Sequence, residues 1–151
     1  MIEKPILFSG EMVRAILDGR KTQTRRVHEF PKYGIGDFLW VRETWWQCYD
    51  NNDRIYYAAT ETPDDTENRH YQKRPSIFLR RANARIILEV VSVWWEMIQD
   101  ISEKNAMAEG VGDKAAFQHL WNDINGKRGF GWNQNPLVYV YEFKIDRIEK
   151  A

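Results

Sequence analysis

The chain has 151 residues, 43% of them hydrophobic and 14% aromatic, enough for one domain with a substantial buried core. Its 22 basic and 22 acidic side chains cancel, which removes any global electrostatic pull toward nucleic acid or a membrane surface and leaves only local binding. Cys48 is the single cysteine, which excludes an internal disulfide or a cysteine-based zinc cluster and fits a reducing, cytoplasmic setting.

The first eight residues lack the apolar stretch of a signal peptide. No segment approaches the roughly 20 apolar residues that span a bilayer, so neither secretion by that route nor a membrane partner is expected. Pro5-Ile6-Leu7-Phe8 is a short apolar run that reads as a strand. Ser9 is a good N-cap, Glu11 lies in the first turn, and Met12, Val13, Ile16 and Leu17 recur at helical spacing, which predicts a helix over 10–18. Gly19, just past it, suits a left-handed C-cap.

Arg20-Lys21-Thr22-Gln23-Thr24-Arg25-Arg26 follows directly and concentrates cations and hydroxyls in one short stretch. Clustered Arg and Lys bind phosphates or carboxylates through charge and forked hydrogen bonds. A Lys hemmed in by cations and desolvated can instead lose its proton and act as a base, and a neutral Lys beside a Thr activates the hydroxyl as a nucleophile. On a turn-like backbone Lys21 and Thr24 would share a face; on an extended strand they would oppose, and Thr22, Thr24 and Arg26 would align. The plainer reading is a solvated, salt-bridged surface loop.

Residues 31–37 carry turn chemistry and Phe38-Leu39-Trp40-Val41-Arg42 reads as a strand, a tight turn feeding a barrel wall. Trp45, Trp46 and Tyr49 precede a strand expected over 55–59; such aromatics either stack on a base or, more commonly, fill a core. The polar run 60–74 reads as a loop. His70 within it, like His28 and His119, has no second His or Cys at ligand spacing, so it reads as a surface histidine and no metal site is expected. The strongest strand signal is 85–95, with both alternating faces mostly apolar, as in a closed or nearly closed barrel packed by helices. Arg80, Arg81 and Arg85 either join Arg20, Arg25 and Arg26 in one basic cleft or remain separate surface charges.

Asp100-Ile101-Ser102-Glu103 offers N-cap residues with an acid in capping-box position, opening a short helix that Glu109-Gly110 ends. Glu109 is then an exposed helix-end acid or a proton-handling group; the helix dipole there raises a carboxyl pKa unless a cation is near. A second helix over 114–124 carries Phe117, Leu120, Trp121 and Ile124 on one stripe, a core-facing signature. The Gly-rich segment 125–133 lacks phosphate-loop spacing and reads as a turn with anchoring aromatics. Residues 137–145 alternate as a strand that closes the sheet. No internal repeat or interdomain linker is visible.

These elements resemble the ASCH domain, a branch of the PUA-like superfamily, over nearly the whole chain. The resemblance rests on Pro5 to Gly10, on Ile16-Leu17-Asp18-Gly19-Arg20-Lys21-Thr22-Gln23-Thr24-Arg25-Arg26, on Gly36-Asp37 to Trp45, on Asp100 to Gly110, and on Gly129-Phe130-Gly131-Trp132. It implies a mixed α+β fold, a PUA-like small β-barrel of about five to six mostly antiparallel strands with flanking α-helices. It also implies a single domain over 1–151 with a polar loop insertion near 60–75. The bacterial and phage proteins so resembled include amidohydrolases that remove the acetyl group from N4-acetylcytidine. Matched onto their motifs, the catalytic positions are Lys21, Thr24 and Glu109, with Arg20, Arg26, Arg42, Glu43 and Trp45 as substrate-binding candidates. Lys21 would take the proton of Thr24, which attacks the amide carbonyl, and backbone amides near Gly19 to Lys21 or a neighbouring Arg would hold the oxyanion. The implied reaction needs no metal or cofactor, and its partner is a small nucleoside. The resemblance implies a second possibility, an RNA-binding module or ribonuclease using the same basic cleft with stacking aromatics. An accessory protein that binds another protein is a third. Relative to the smallest such enzymes, the 60–74 insertion and the Trp-rich segments are additions that could reshape or cover the pocket.

Overall fold

The computed structural model describes residues 2–49, 55–63 and 71–149, so the reading of His70 as a surface histidine lies outside the described residues. The main sheet has five strands in the order β1 (Glu3–Leu7), β3 (Phe38–Arg42), β7 (Ile86–Met97), β8 (Leu137–Ile148) and β2 (Gln23–Arg26). β1 and β3 run parallel; β3–β7, β7–β8 and β8–β2 are antiparallel. The β7–β8 ladder is interrupted by register shifts at Ile87/Leu88 and Val90/Ser92. Such bulges increase local twist and bend a long hairpin, which lets it wrap a core instead of lying flat. β8 is thus an interior strand, and the edges are β1 and β2. Across that opening the Arg26 Nη2 donates to the Leu7 carbonyl oxygen at 2.8 Å, a side-chain tie where a closed barrel would have a backbone ladder.

The helices form where the sequence signals place them. Ser9 caps α1 (Gly10–Leu17) by accepting from the Met12 N–H, and Gly19 turns the chain out at φ 78°. Ser102 caps α2 (Glu103–Ala108) by accepting from the Asn105 N–H at 3.0 Å. The expected capping box is not formed: the Glu103 carboxylate accepts from the Lys114 N–H at 2.9 Å, at the start of α3 (Lys114–Asn125), and so ties the two helices together. Ile6, Val13, Ile16, Leu39, Val41, Ile86, Leu88 and Val90 pack beneath α1 as one core cluster. Ile98, Ile101, Phe117, Trp121, Trp132, Val138 and Val140 form a second beneath α2 and α3. β7 is buried on both faces only over its first half. Val91 and Trp95, further along, are exposed.

A second sheet, β5 (Ile55–Tyr57), β4 (Trp45–Cys48) and β6 (Tyr71–Arg74), is antiparallel throughout. β6 corrects the sequence reading of the whole run 60–74 as loop. Its Gln72 and Lys73 are exposed, so no apolar alternation marks it; pairing with β4 at Trp45↔Arg74 through Cys48↔Tyr71 supplies the ladder instead. Polar, charged residues are the normal dress of an edge strand. Among the described residues no helix is long and apolar enough to cross a membrane.

Candidate functional site

A cleft of about 540 Å³ opens where the two core clusters meet, at the gap between β1 and β2. Its walls include Phe8 and Met12 from one cluster, Phe117 and Trp121 from the other, and the Lys21-to-His28 segment between them.

Lys21 reaches the floor because α1 stops sharply. The N–H groups of Arg20 and Lys21 both donate to the Ala15 carbonyl, Gly19 donates to Ile16, and the Thr22 N–H donates to Ala108. These bonds fix the backbone turn and pair Lys21 with Glu109 in an isolated antiparallel bridge. They also use up the amides near Gly19 to Lys21, so the expected backbone oxyanion donors there are already committed. Gly110 supplies a close approach that a side chain would spoil: at φ 99°, a Cβ would lie 3.0 Å from the Ala15 Cβ and 3.2 Å from the Lys21 Cβ.

The Lys21 ammonium is 3% exposed and donates three hydrogen bonds: to Gln23 O at 2.8 Å, Glu109 O at 2.9 Å and Glu109 Oε1 at 3.0 Å. Burial pulls its pKa down, the Glu109 carboxylate opposes that, and the charges of Arg26 and Arg25 lower it further. Glu109, 4% exposed, is neither an exposed helix-end acid nor free of cations. Its other oxygen accepts from Arg25 Nη1 at 2.9 Å. Arg25 continues to Glu96 at 3.1 Å, which in turn accepts from the Trp94 indole at 2.9 Å. Gln23 braces this set by accepting from Arg25 at 3.0 Å and donating to Glu142 at 3.1 Å.

From Gln23 the strand alternates, as expected of an extended segment. Gln23 and Arg25 face the buried carboxylates, whereas the Thr24 hydroxyl is engaged on the other face by Arg26 Nε at 3.2 Å. Lys21 lies before the strand and escapes its alternation, so Lys21 and Thr24 both line the cleft, with no hydrogen bond joining them. The Arg26 guanidinium and the Lys21 ammonium both approach the Phe8 ring, at 5.2 and 5.6 Å from its centroid.

Of the catalytic, binding and basic-cleft positions singled out from sequence, the cleft therefore gathers Lys21, Thr24, Arg25, Arg26 and Glu109. It does not gather the others. Arg20 is exposed and bonded to Asp18 and the Gly110 carbonyl. Arg42 stacks over Trp40 at 4.7 Å. Glu43 is fully buried in a two-bond pair with Arg85, at 3.0 and 2.8 Å, where burial raises its pKa against the pull of that guanidinium. Trp45 lines a separate cavity of about 400 Å³ with Arg74, Phe78 and Arg80. Nor do the arginines form one cleft: Arg81 is held by Glu3 and Glu149, Arg85 by Glu43, and Arg25 by Glu109 and Glu96.

Two contributors were missed. The α3 stripe read as core-facing is split: Phe117 and Trp121 are buried, Ile124 is 57% exposed, and all three with Leu120 line the cleft. Only the third dimension separates such an apolar wall from a core face, and both have helical spacing. The other is His28. Its Nδ1 lies 2.9 Å from the Tyr141 hydroxyl, which also accepts from the Lys32 N–H at 3.0 Å. Burial, then the charges of Lys32, Arg26 and Arg128, pull His28 down to about 4, so at neutral pH the imidazole that shares a hydrogen bond with Tyr141 is uncharged. Its isolation in sequence carried no hint of this. Among the described residues no group of three His, Cys, Asp or Glu side chains converges on a metal-sized site.

No protein-family model matches the sequence, and no curated protein matches it significantly. Solved structures do match. An ASCH domain from Lactobacillus crispatus JV V101 superposes with a TM-score of 0.57 at 15% identity, over 95% of this chain and 79% of that one. A DUF984 protein of Enterococcus faecalis V583 gives 0.58 at 10% identity, over 100% and 84%. An ASCH protein of Zymomonas mobilis, solved as a tyrosine-to-phenylalanine variant, gives 0.50 at 9% identity, over 98% and 73%. At these identities the likeness is one of fold: the chain has the mixed α+β architecture of ASCH domains.

Proposed function

We propose that this chain is an amidohydrolase that cleaves the N4-acyl amide of an acylated cytidine, with Thr24 as nucleophile, Lys21 as its base and Glu109 as the proton partner of Lys21. The observation that carries the reading is the desolvated Lys21 ammonium bonded to a buried carboxylate on the floor of a cleft that Thr24 and Arg26 also line. Ordinary surface lysines have no such environment, and perturbed titratable groups in a cleft mark functional sites. The volume of about 540 Å³ is that of a small-molecule site. The choice of an acylated cytidine comes from the motif resemblance.

The ammonium first gives a proton to Glu109 Oε1, with which it is already hydrogen-bonded. Neutral Lys21 then exchanges its bond to Gln23 O for one to the Thr24 hydroxyl and takes that proton as Thr24 Oγ1 attacks the acyl carbon. The carbonyl π electrons move to oxygen, beside the Arg26 guanidinium that holds Thr24 in the resting state. Collapse breaks the bond to N4 of the base, and the Lys21 ammonium protonates that nitrogen. Water, deprotonated by Lys21, cleaves the acyl-threonine ester, and the Lys21 ammonium returns that proton to Thr24 Oγ1. The acid loses its proton to solvent and leaves as a carboxylate, and Glu109 hands its proton back to Lys21.

Conversion of N4-acetylcytidine to cytidine, followed by absorbance and chromatography, tests this with Lys21→Ala, Thr24→Ala and Glu109→Ala beside the parent. Loss of general-base catalysis is worth about 10²–10⁴-fold. Losses of that order in each variant, with the fold intact, are expected. No turnover of acylated cytidine by the folded parent, as nucleoside or nucleotide, sinks the reading.

A further inference from the structure

The mouth of the cleft holds more positive charge than the proposed chemistry uses. Arg26, Lys32 and Arg128 all line it, and among the described residues none of the three has a carboxylate partner. Among the described residues Arg26 donates to Thr24 Oγ1 and the Leu7 carbonyl, and Arg128 to the Asn125 side chain. Lys32 contributes a backbone N–H to Tyr141 and leaves its ammonium free. Most other cations near the sheet are paired, as Lys4, Lys21, Arg25, Arg81, Arg85 and Arg147 are. On a chain of formal net charge +0, three unpaired cations converging on one cleft are a local anion site.

We propose that this cleft takes its pyrimidine as a phosphate-bearing nucleotide, the phosphate seated among Arg26, Lys32 and Arg128 beside His28. The inference rests on the acyl-cytidine reading for the base and on the unpaired cations for the phosphate. Arg26 lies deepest, next to Thr24, and its fork spans the reacting end and the mouth; Lys32 and Arg128 are exposed and stand at the rim. Guanidinium and ammonium groups together suit the several oxygens of a phosphate monoester. His28 lies at the centre of this field: Lys32 and Arg26 reach it from its own segment and Arg128 from the turn after α3, while Tyr141 on β8 holds its Nδ1 and Tyr33 packs edge-on to its ring at 6.3 Å. A phosphate dianion there would offset two of the three positive charges and favour protonation of the imidazole.

The test separates phosphate binding from hydrolysis. Cytidine 5′-monophosphate, which has no acyl group to lose, is titrated against the intact protein beside cytidine and a short cytidine-containing RNA, with the His28 ring followed by NMR. Expected are affinity for the monophosphate at least about tenfold above cytidine at low salt and an upward shift of the His28 midpoint from about 4. In Lys32→Gln/Arg128→Gln both the preference and the shift should fall toward those of cytidine. Tighter binding of the RNA than of the monophosphate would assign the same phosphate contacts to a chain; the reverse order assigns them to a free nucleotide. Equal affinities for cytidine and its monophosphate with an unmoved His28 overturn the proposal, even if N4-acetylcytidine is hydrolysed. Phosphate-dependent binding without hydrolysis of acylated cytidine leaves it standing and removes the amidohydrolase reading instead.

Discussion

Replacing Glu109 by Gln keeps its shape and removes the one carboxylate that two buried cations share. Lys21 and Arg25 are each 3% exposed and stand 3.0 and 2.9 Å from its oxygens. Arg25 keeps Glu96 at 3.1 Å, whereas Lys21 is left with the carbonyl oxygens of Gln23 and residue 109. Removing one partner of a buried pair costs about 3–5 kcal/mol, because the remaining charge is left uncompensated. The remaining partner of Arg25 places Glu109→Gln at the low end, about 3 kcal/mol, or roughly 6–12 °C in melting temperature for a domain of this size. Glu109→Gln/Lys21→Met removes both charges of the inner pair, so the double variant should recover about 1–3 kcal/mol relative to the sum of the singles. Urea unfolding followed by circular dichroism measures all four forms. The carboxylate also holds Lys21 up against desolvation, so its loss lowers Lys21 further. As pH rises and Lys21 becomes neutral, the cost of Glu109→Gln shrinks. Additive single effects, or a loss under about 0.5 kcal/mol at neutral pH, would refute the reasoning.

Glu43 is as buried as Glu109 but away from the cleft. Glu43→Gln should cost about 3–5 kcal/mol in urea by stranding Arg85, with nucleotide affinity of the folded protein unmoved in calorimetry. Gly110→Ala forces a Cβ to 3.0 Å from Ala15 and 3.2 Å from Lys21 at φ 99°; about 1–3 kcal/mol of strain and a fall in turnover together are expected, the second because Lys21 must shift. His28 titrates at about 4 folded against 6.5 unfolded, so the unfolded chain binds the extra proton between those values. Its contribution is present above pH 6.5 and lost as pH falls through 4. Discounted for partial exposure it amounts to about 1 kcal/mol, read as a drop in urea midpoint that His28→Gln flattens.

What the sequence revealed was local. Ser9, Gly19, Ser102 and Gly110 announce helix ends through their own backbone requirements, and the apolar runs of β3 and β7 announce strands. What it concealed depends on partners far along the chain. Glu109 meets Lys21 across 88 residues and Arg25 across 84, and no spacing rule connects them; only the motif resemblance put Glu109 beside Lys21. Arg81 and Arg85 looked like candidates for the basic cleft because charge has no direction in a sequence; Glu3, Glu149 and Glu43 claim them in space. β6 was hidden by its polarity, and Ile124 by a periodicity that a cleft wall shares with a core face.

The placement of charge around the cleft has a simple electrostatic logic. Beneath the floor, Lys21, Glu109, Arg25 and Glu96 alternate in sign along one chain of hydrogen bonds, two cations against two carboxylates, so the buried set carries no net charge to desolvate. Moving a proton from Lys21 to Glu109 converts one ion pair to a neutral pair and leaves that balance intact, which keeps the step inexpensive in a low-dielectric site. Among the described residues, the positive field of the cleft then comes from the unpaired Arg26, Lys32 and Arg128. Arg26 contributes both to this field and to the proposed chemistry at Thr24. It ties β2 to the β1 edge through Leu7, it holds the Thr24 hydroxyl, and it faces the ligand. Arg26→Lys would keep the charge but lose the fork, so nucleotide affinity should weaken only a few-fold while turnover falls by about 10²-fold or more. No loss in either would mean that Arg26 acts through charge alone, and equal losses in both would mean that its fork serves binding and not the transition state.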